Sequence, residues 1–293
     1  MGKTLLIPVK YARKSYPEEI TPRIQEVAGH FDVSSIRPVM PYSLHTEYCY
    51  GPRRFDSSIV RQFPTICAAQ KNGIPQLWFS KQWSFEFADF IVSLVGDNEP
   101  PRIIEIHPPF DDYCPSIEDF AETYSIFEKR ITEKFPGVII CIEHRFGTTY
   151  RGGKFLISGV GDILKLAILT ERQNLNLMIV LDFVQLFSRH FGARPKRPQD
   201  IDQVFTLLKG CIDRISSIHI WGKKRIRGRL VAHQGDLNDY FEGDAALKKH
   251  FLTGARELLA DDQPRFFIPE VNSTNEDLIS IVREFQKASF EFV

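Results

Sequence analysis

The feature that most constrains the fold of this chain is a recurrence. Short apolar runs bounded by turn residues return at intervals of about 30 to 50 residues, and segments of helical periodicity lie between them. The runs are "TLLIPV" from Thr4, "VSSIRPVM" from Val33, "PQLWFS" from Pro75, "RIIEIHP" from Arg102, "GVIICIEH" from Gly137, "LMIVLDF" from Leu177, "SSIHIWG" from Ser216 and "RFFIPEV" from Arg265. In the segment from Ser116 to Phe135, residues Ile117, Phe120, Tyr124, Phe127 and Ile131 fall on one helical stripe, with Ser116 as N-cap and Asp119 at N3. "GDILKLAILTERQ", "PQDIDQVFTLLKGCIDRI" and "NEDLISIVREFQKA" carry the same spacing.

Runs apolar on both faces and separated by helices predict a parallel sheet with right-handed crossovers. Eight βα units in 293 residues predict an α/β protein, a single (β/α)8 TIM barrel with parallel strands, as one domain over residues 1–293. An open doubly wound sheet is the alternative, but "IPVKYARKSYP" after the first run lacks the Gly-rich phosphate turn. The irregular stretch "MPYSLHTEYCYGPRRFD" is expected as a long aromatic and basic loop over the active face.

Composition narrows the function classes. Lys plus Arg and Asp plus Glu number 37 each, so binding of a polyanion has to come from a local patch. No apolar run approaches the roughly 20 residues of a membrane helix, and the stretch after Lys3 is too short for a signal peptide. Cys49, Cys67, Cys114, Cys141 and Cys211 show no paired spacing, which points to reduced thiols and a soluble cytoplasmic protein.

In a barrel of this kind the site lies at the C-terminal ends of the strands. The fourth run ends at His107, the fifth at Glu143, the sixth at Asp182, the seventh at His219 and the eighth at Glu270. One such residue is ordinarily a satisfied structural group, but five converging on one concave rim need a cation or a substrate to compensate them. Glu143, Asp182, His219 and Glu270 make a site for a divalent metal ion, Mn²⁺, Zn²⁺, Co²⁺ or Mg²⁺.

These residues resemble the metal shell of the xylose isomerase-like barrels, the superfamily of sugar isomerases and epimerases and of the endonuclease IV type of AP endonuclease. "IEHRFG", "VLDFVQLF", "IHIWG", "HQGDL" and "IPEVN" carry the resemblance over roughly the C-terminal two thirds. The endonuclease branch is matched by His107 in "IHPP" and by His233 before a glycine, which it uses for extra zinc positions. It is not matched at Gln185 and Val231, where that branch has metal-binding His and Asp, nor at the third run, "WFSKQW", which lacks the expected histidine unless His45 enters from the preceding stretch.

A complete central shell with incomplete flanks resembles the mononuclear-metal isomerase or epimerase branch, which implies a small polyhydroxy, optionally phosphorylated substrate and Glu143 and Glu270 as acid/base groups that also touch the metal. Gln185, His107 and His233 are expected to face the substrate. A metal-dependent phosphodiesterase of the AP endonuclease kind, with nucleic acid as partner, is the alternative, and a non-catalytic binding barrel the third. The basic run after Trp221 is ordinarily a solvated surface, but its place behind the His219 strand makes Lys223, Arg225 and Arg227 candidate grips for a substrate phosphate or carboxylate. Tyr150, Arg151 and Lys154 are candidates for the same rim.

Overall fold

The computed structural model describes residues 2–49, 51–147 and 153–293; Tyr150 and Arg151 of the expected rim lie outside the described residues. Eight barrel strands follow one another along the chain: β1 Leu5–Lys10, β2 Ile24–Gly29, β3 Tyr42–Thr46, β4 Ile103–Ile106, β5 Ile139–Glu143, β6 Leu177–Asp182, β7 Ile215–Ile220 and β8 Pro264–Pro269. Their hydrogen-bonded order is the chain order, and β8 pairs in parallel with β1 as well as with β7, which returns the sheet on itself as a (β/α)8 barrel. The chain divides into two compact units, residues 1–25 with 180–293, and residues 26–179. Both boundaries fall inside strands, β2 and β6.

Strands β1 and β4 to β8 lie where the apolar runs predict them. The second and third strands do not. "VSSIRPVM" forms turns and coil rather than a strand, and β2 is the more polar "IQEVAG", whose residues are mostly half-exposed. "PQLWFS" contributes only to a two-residue ladder at Ile74–Pro75, after which Trp78 takes φ +63° and breaks any extended run. The true β3, "YSLHT", sits inside the stretch expected as a loop, and all five of its residues are buried. The neighbouring strand satisfies Thr46, whose Oγ1 donates to the Glu105 carbonyl at 2.8 Å. Residues 11–23 and 30–41 connect the first three strands without a helix, so helices follow β3 to β8 only. Pro17, Pro22, Pro38 and Pro41 break these short connections, each removing an N–H that a helix would need.

The helices elsewhere begin where the side chains predict. Ser116 caps the Ile117–Lys134 helix by accepting from the Asp119 amide at 3.0 Å, an interaction of about 1 kcal/mol. In the unit of residues 26–179, Trp78 packs edge-on against Phe87, Phe120 and Phe127 at 5.3–5.6 Å, beneath the ends of β3 to β5. In the other unit, Phe183, Phe187, Phe205 and Phe251 join the Phe183–Phe191 helix to Pro198–Leu208 and Ala245–Leu258.

Candidate metal centre

Strand register explains why four potential ligands share one place in the unit of residues 26–179. His45 on β3 lies opposite Glu105 on β4, and Glu105 lies opposite Cys141 on β5. Partners in register emerge on one face, and so do residues two apart along a strand, which adds His107 and Glu143. The ligating atoms of His45, Glu105, His107 and Glu143 all lie within 4.8 Å of one another, and all four residues are buried. His107 Nε2 is 2.8 Å from Glu143 Oε2, while His45 Nε2 is 3.4 Å from Glu105 Oε1 and 3.8 Å from Glu143 Oε2.

The hydrogen bonds decide the state of these groups. His107 Nδ1 faces the Glu47 carbonyl at 3.1 Å, an acceptor only, so Nδ1 carries the proton. Burial lowers the His107 pKa, which keeps the ring neutral and leaves a lone pair on Nε2 directed at the Glu143 carboxylate. Burial alone would raise Glu143, but the charge of Arg145, at 3.0 Å, holds it well below the usual carboxylate range. Imidazole nitrogens and carboxylates converging in this way are a donor set that could hold a divalent ion. Burial would also lower His45, yet the facing carboxylate of Glu143 and the charges of Glu105 and Glu26 push it up to about 9. Trp78 Nε1 donates to the His107 carbonyl at 2.7 Å, and Glu47 is clamped by both Arg53 Nε at 2.7 Å and Nη2 at 2.9 Å.

Of the predicted residues, His107 and Glu143 fall in this cluster. His45 stands on the third barrel strand itself, which supplies the histidine that "WFSKQW" lacked. Glu105, Arg145 and Glu47 were not singled out from the sequence. Glu105 reads as the polar interruption of an apolar run, and the carboxylate among isoleucines in "RIIEIHP" was the available signal. Lys154, expected at the rim, uses its amide to reach Asp111 Oδ1 at 2.8 Å.

In the other unit, Asp182 ends β6, His219 lies in β7 and Glu270 follows β8. His219 pairs with Ile268 in register, and Glu270, two residues on, shares that face; His219 Nδ1 is 3.3 Å from Glu270 Oε1. Asp182 is held from two sides, accepting from the Gln185 amide at 2.9 Å and from Trp221 Nε1 at 2.8 Å. His233 stacks on Trp221 with centroids 4.2 Å apart, and its Nδ1 reaches the Glu270 carbonyl at 3.0 Å, which leaves the lone pair on Nε2. Gln185 is buried in the first turn after Asp182.

The basic run is a structured hairpin of strands Lys223–Ile226 and Arg229–Ala232. Lys223 turns inward, its ammonium bonded to Ser188 Oγ and to the Ala193 carbonyl and lying 5.5 Å from the Trp221 ring. Arg225 donates to the Gly228 carbonyl at 2.9 Å, and Arg227 is exposed in the turn. These cations therefore do different work, Lys223 at the root and the arginines in solvent.

No family model and no curated protein matches the chain. Among solved structures it is similar to the AP endonuclease AsfvAP in the crystal structure of AsfvAP:AG, with 11% identity, 98% of each chain covered and a TM-score of 0.55. It is also similar to the xylose isomerase domain protein from Planctomyces limnophilus, with 12% identity, 98% of each chain covered and a TM-score of 0.48. D-psicose 3-epimerase shows 8% identity over 91% of this chain and 85% of that one, with a TM-score of 0.40. No helix among the described residues is long and apolar enough to cross a membrane. With eight parallel strands in chain order, the chain has the (β/α)8 TIM-barrel fold, similar to that of AsfvAP.

Proposed function

We propose that this chain is a metal-dependent phosphodiester hydrolase acting on nucleic acid, of the AP endonuclease kind. The observation that carries the reading is the cluster of His45, Glu105, His107 and Glu143. We read it as one of the flanking shells that the endonuclease branch needs, beyond the Glu143, Asp182, His219 and Glu270 set expected for a first ion. Bound divalent ions supply Lewis-acid stabilisation of the phosphoryl oxygens and an ionised water at neutral pH. The residues do the rest. Glu143 stays ionised under Arg145, Trp221 and the Gln185 amide hold Asp182, and Glu47 fixes the tautomer that leaves His107 Nε2 ready to ligate. The similarity to AsfvAP supports this reading at the level of fold.

The second reading, a mononuclear sugar isomerase or epimerase with Glu143 and Glu270 as the acid/base pair, rests on Gln185 and Val231. Val231 lies in the hairpin, where the endonuclease branch has a ligand, so the third shell is incomplete. Metal analysis and two assays separate the readings. The first predicts at least two ions per chain, nicking of a duplex bearing an abasic site, and loss of one ion in His45→Gln. One ion per chain with aldose–ketose or epimer interconversion and no nicking would reverse the order.

A further inference from the structure

The Lys223–Ala232 hairpin has an unusual exposure. A two-stranded ribbon on a protein ordinarily buries one face, because a lone hairpin is marginally stable in water. Here both faces are open: Lys224, Arg225, Ile226, Arg229, Leu230 and Ala232 are exposed, and only Lys223 and Val231 are half-buried. Register places Arg225 opposite Leu230 on one face and Ile226 opposite Arg229 on the other. Each face thus carries an aliphatic side chain beside an arginine, with Ile226 40% and Leu230 44% exposed.

The ribbon is also stiff. Arg227 and Gly228 take φ +48° and +79°, the turn whose twist matches a hairpin, and Arg225 braces the Gly228 carbonyl. Lys223 pins the root to Ser188 and Ala193, and Lys224 pairs with Asp239 at 3.3 Å. Residues 223–235 contain no acidic side chain. The 530 Å³ cleft at the root is lined by four carboxylates, Asp236, Asp239, Glu242 and Asp277. They repel phosphate at the root and leave the tip as the attractive end.

We infer that this hairpin is a nucleic-acid-binding arm that enters the groove of a duplex, its arginines meeting phosphates and Ile226 and Leu230 meeting the groove walls. A ribbon inserted in a groove contacts its partner on both faces, and the major groove admits a two-stranded ribbon. The inference rests on the hydrolase reading for its substrate class and adds the element that holds the duplex.

The test is fluorescence anisotropy of a labelled duplex without an abasic site, titrated with the full chain across a range of NaCl. Arg225→Gln/Arg227→Gln/Arg229→Gln is expected to weaken binding at least tenfold and to flatten the log K against log salt slope by about 2 to 3, near 0.9 per lost phosphate contact. The matching Arg→Lys variant retains the slope, which guards against misfolding. Ile226→Ser/Leu230→Ser keeps the slope and loses affinity several-fold. Wild-type affinity and slope in the Gln variant, or no duplex binding by the wild type, overturns the inference. Hairpin-dependent binding without abasic-site cleavage would sink the hydrolase reading alone, and cleavage with hairpin-independent binding would sink the arm alone.

Discussion

His107 Nε2 and Glu143 Oε2 lie 2.8 Å apart, both side chains fully buried, and the only proton the imidazole needs is on the opposite nitrogen, facing the Glu47 carbonyl. A lone pair facing a carboxylate is costly in a dry interior and favourable around a cation. Glu47 thus sets the His107 tautomer through its carbonyl, from the side of the ring opposite Glu143.

Glu143→Gln removes the charge around which His45, His107 and Arg145 are arranged. The expected outcome is loss of bound metal and a fall in turnover of at least about 100-fold, the lower range for a group that acts in acid/base and electrostatic roles. Elemental analysis of protein purified without chelator, beside a circular dichroism melt, checks it. Full metal occupancy with intact folding would refute the assignment.

Trp221→Phe keeps an aromatic ring for His233 to stack on and deletes the indole N–H that holds Asp182 Oδ2. Metal affinity is expected to fall about 10- to 100-fold, the usual effect of losing a partner behind a ligand. Competition with a chromogenic chelator measures it, and an unchanged affinity would show that Asp182 does not depend on this bond.

Stability rests elsewhere on one buried cation. Arg265, at the start of β8, is 1% exposed and donates to the Ile215 carbonyl at 2.9 Å, the Ile212 carbonyl at 3.1 Å and both oxygens of Asp261 at 2.6–2.7 Å. Arg265→Ala strands these acceptors and should cost about 3 kcal/mol or more in urea unfolding, whereas Asp261→Asn, whose own side chain is partly exposed, should cost about 1 kcal/mol.

Glu47 sets a pH dependence. Burial would raise its pKa, but the Arg53 hydrogen bonds and charge, with the Phe31 amide, bring it below its ordinary 4.5. A carboxyl depressed in the folded state binds fewer protons folded than unfolded, so its stabilisation is complete above about 4.5 and is lost as pH falls through the folded value. Urea midpoints followed from neutral pH to below about pH 4 should fall for the wild type, and the gap to Glu47→Gln should narrow over that window. A constant gap would remove Glu47 from the acid response.

Much of this molecule was legible in order of residues alone. The apolar runs of β4 to β8 are buried on both faces, so their composition announces them, and the barrel rule then reads His107, Glu143, Asp182, His219 and Glu270 off their ends. The second and third strands were not legible, because β2 is mostly half-exposed and β3 hides Ser43, His45 and Thr46 in the interior, where β4 gives Thr46 its acceptor and sets Glu105 beside His45. "PQLWFS" was more strand-like than either, yet Trp78 is drawn to the His107 carbonyl and an aromatic core, and its backbone turns to reach them. Local pattern thus determined the barrel and half of the clustered groups. Tertiary structure decided that His45 joins them, since a histidine's role follows from which carboxylates the neighbouring strands set beside it, and register carries that information while spacing along the chain does not.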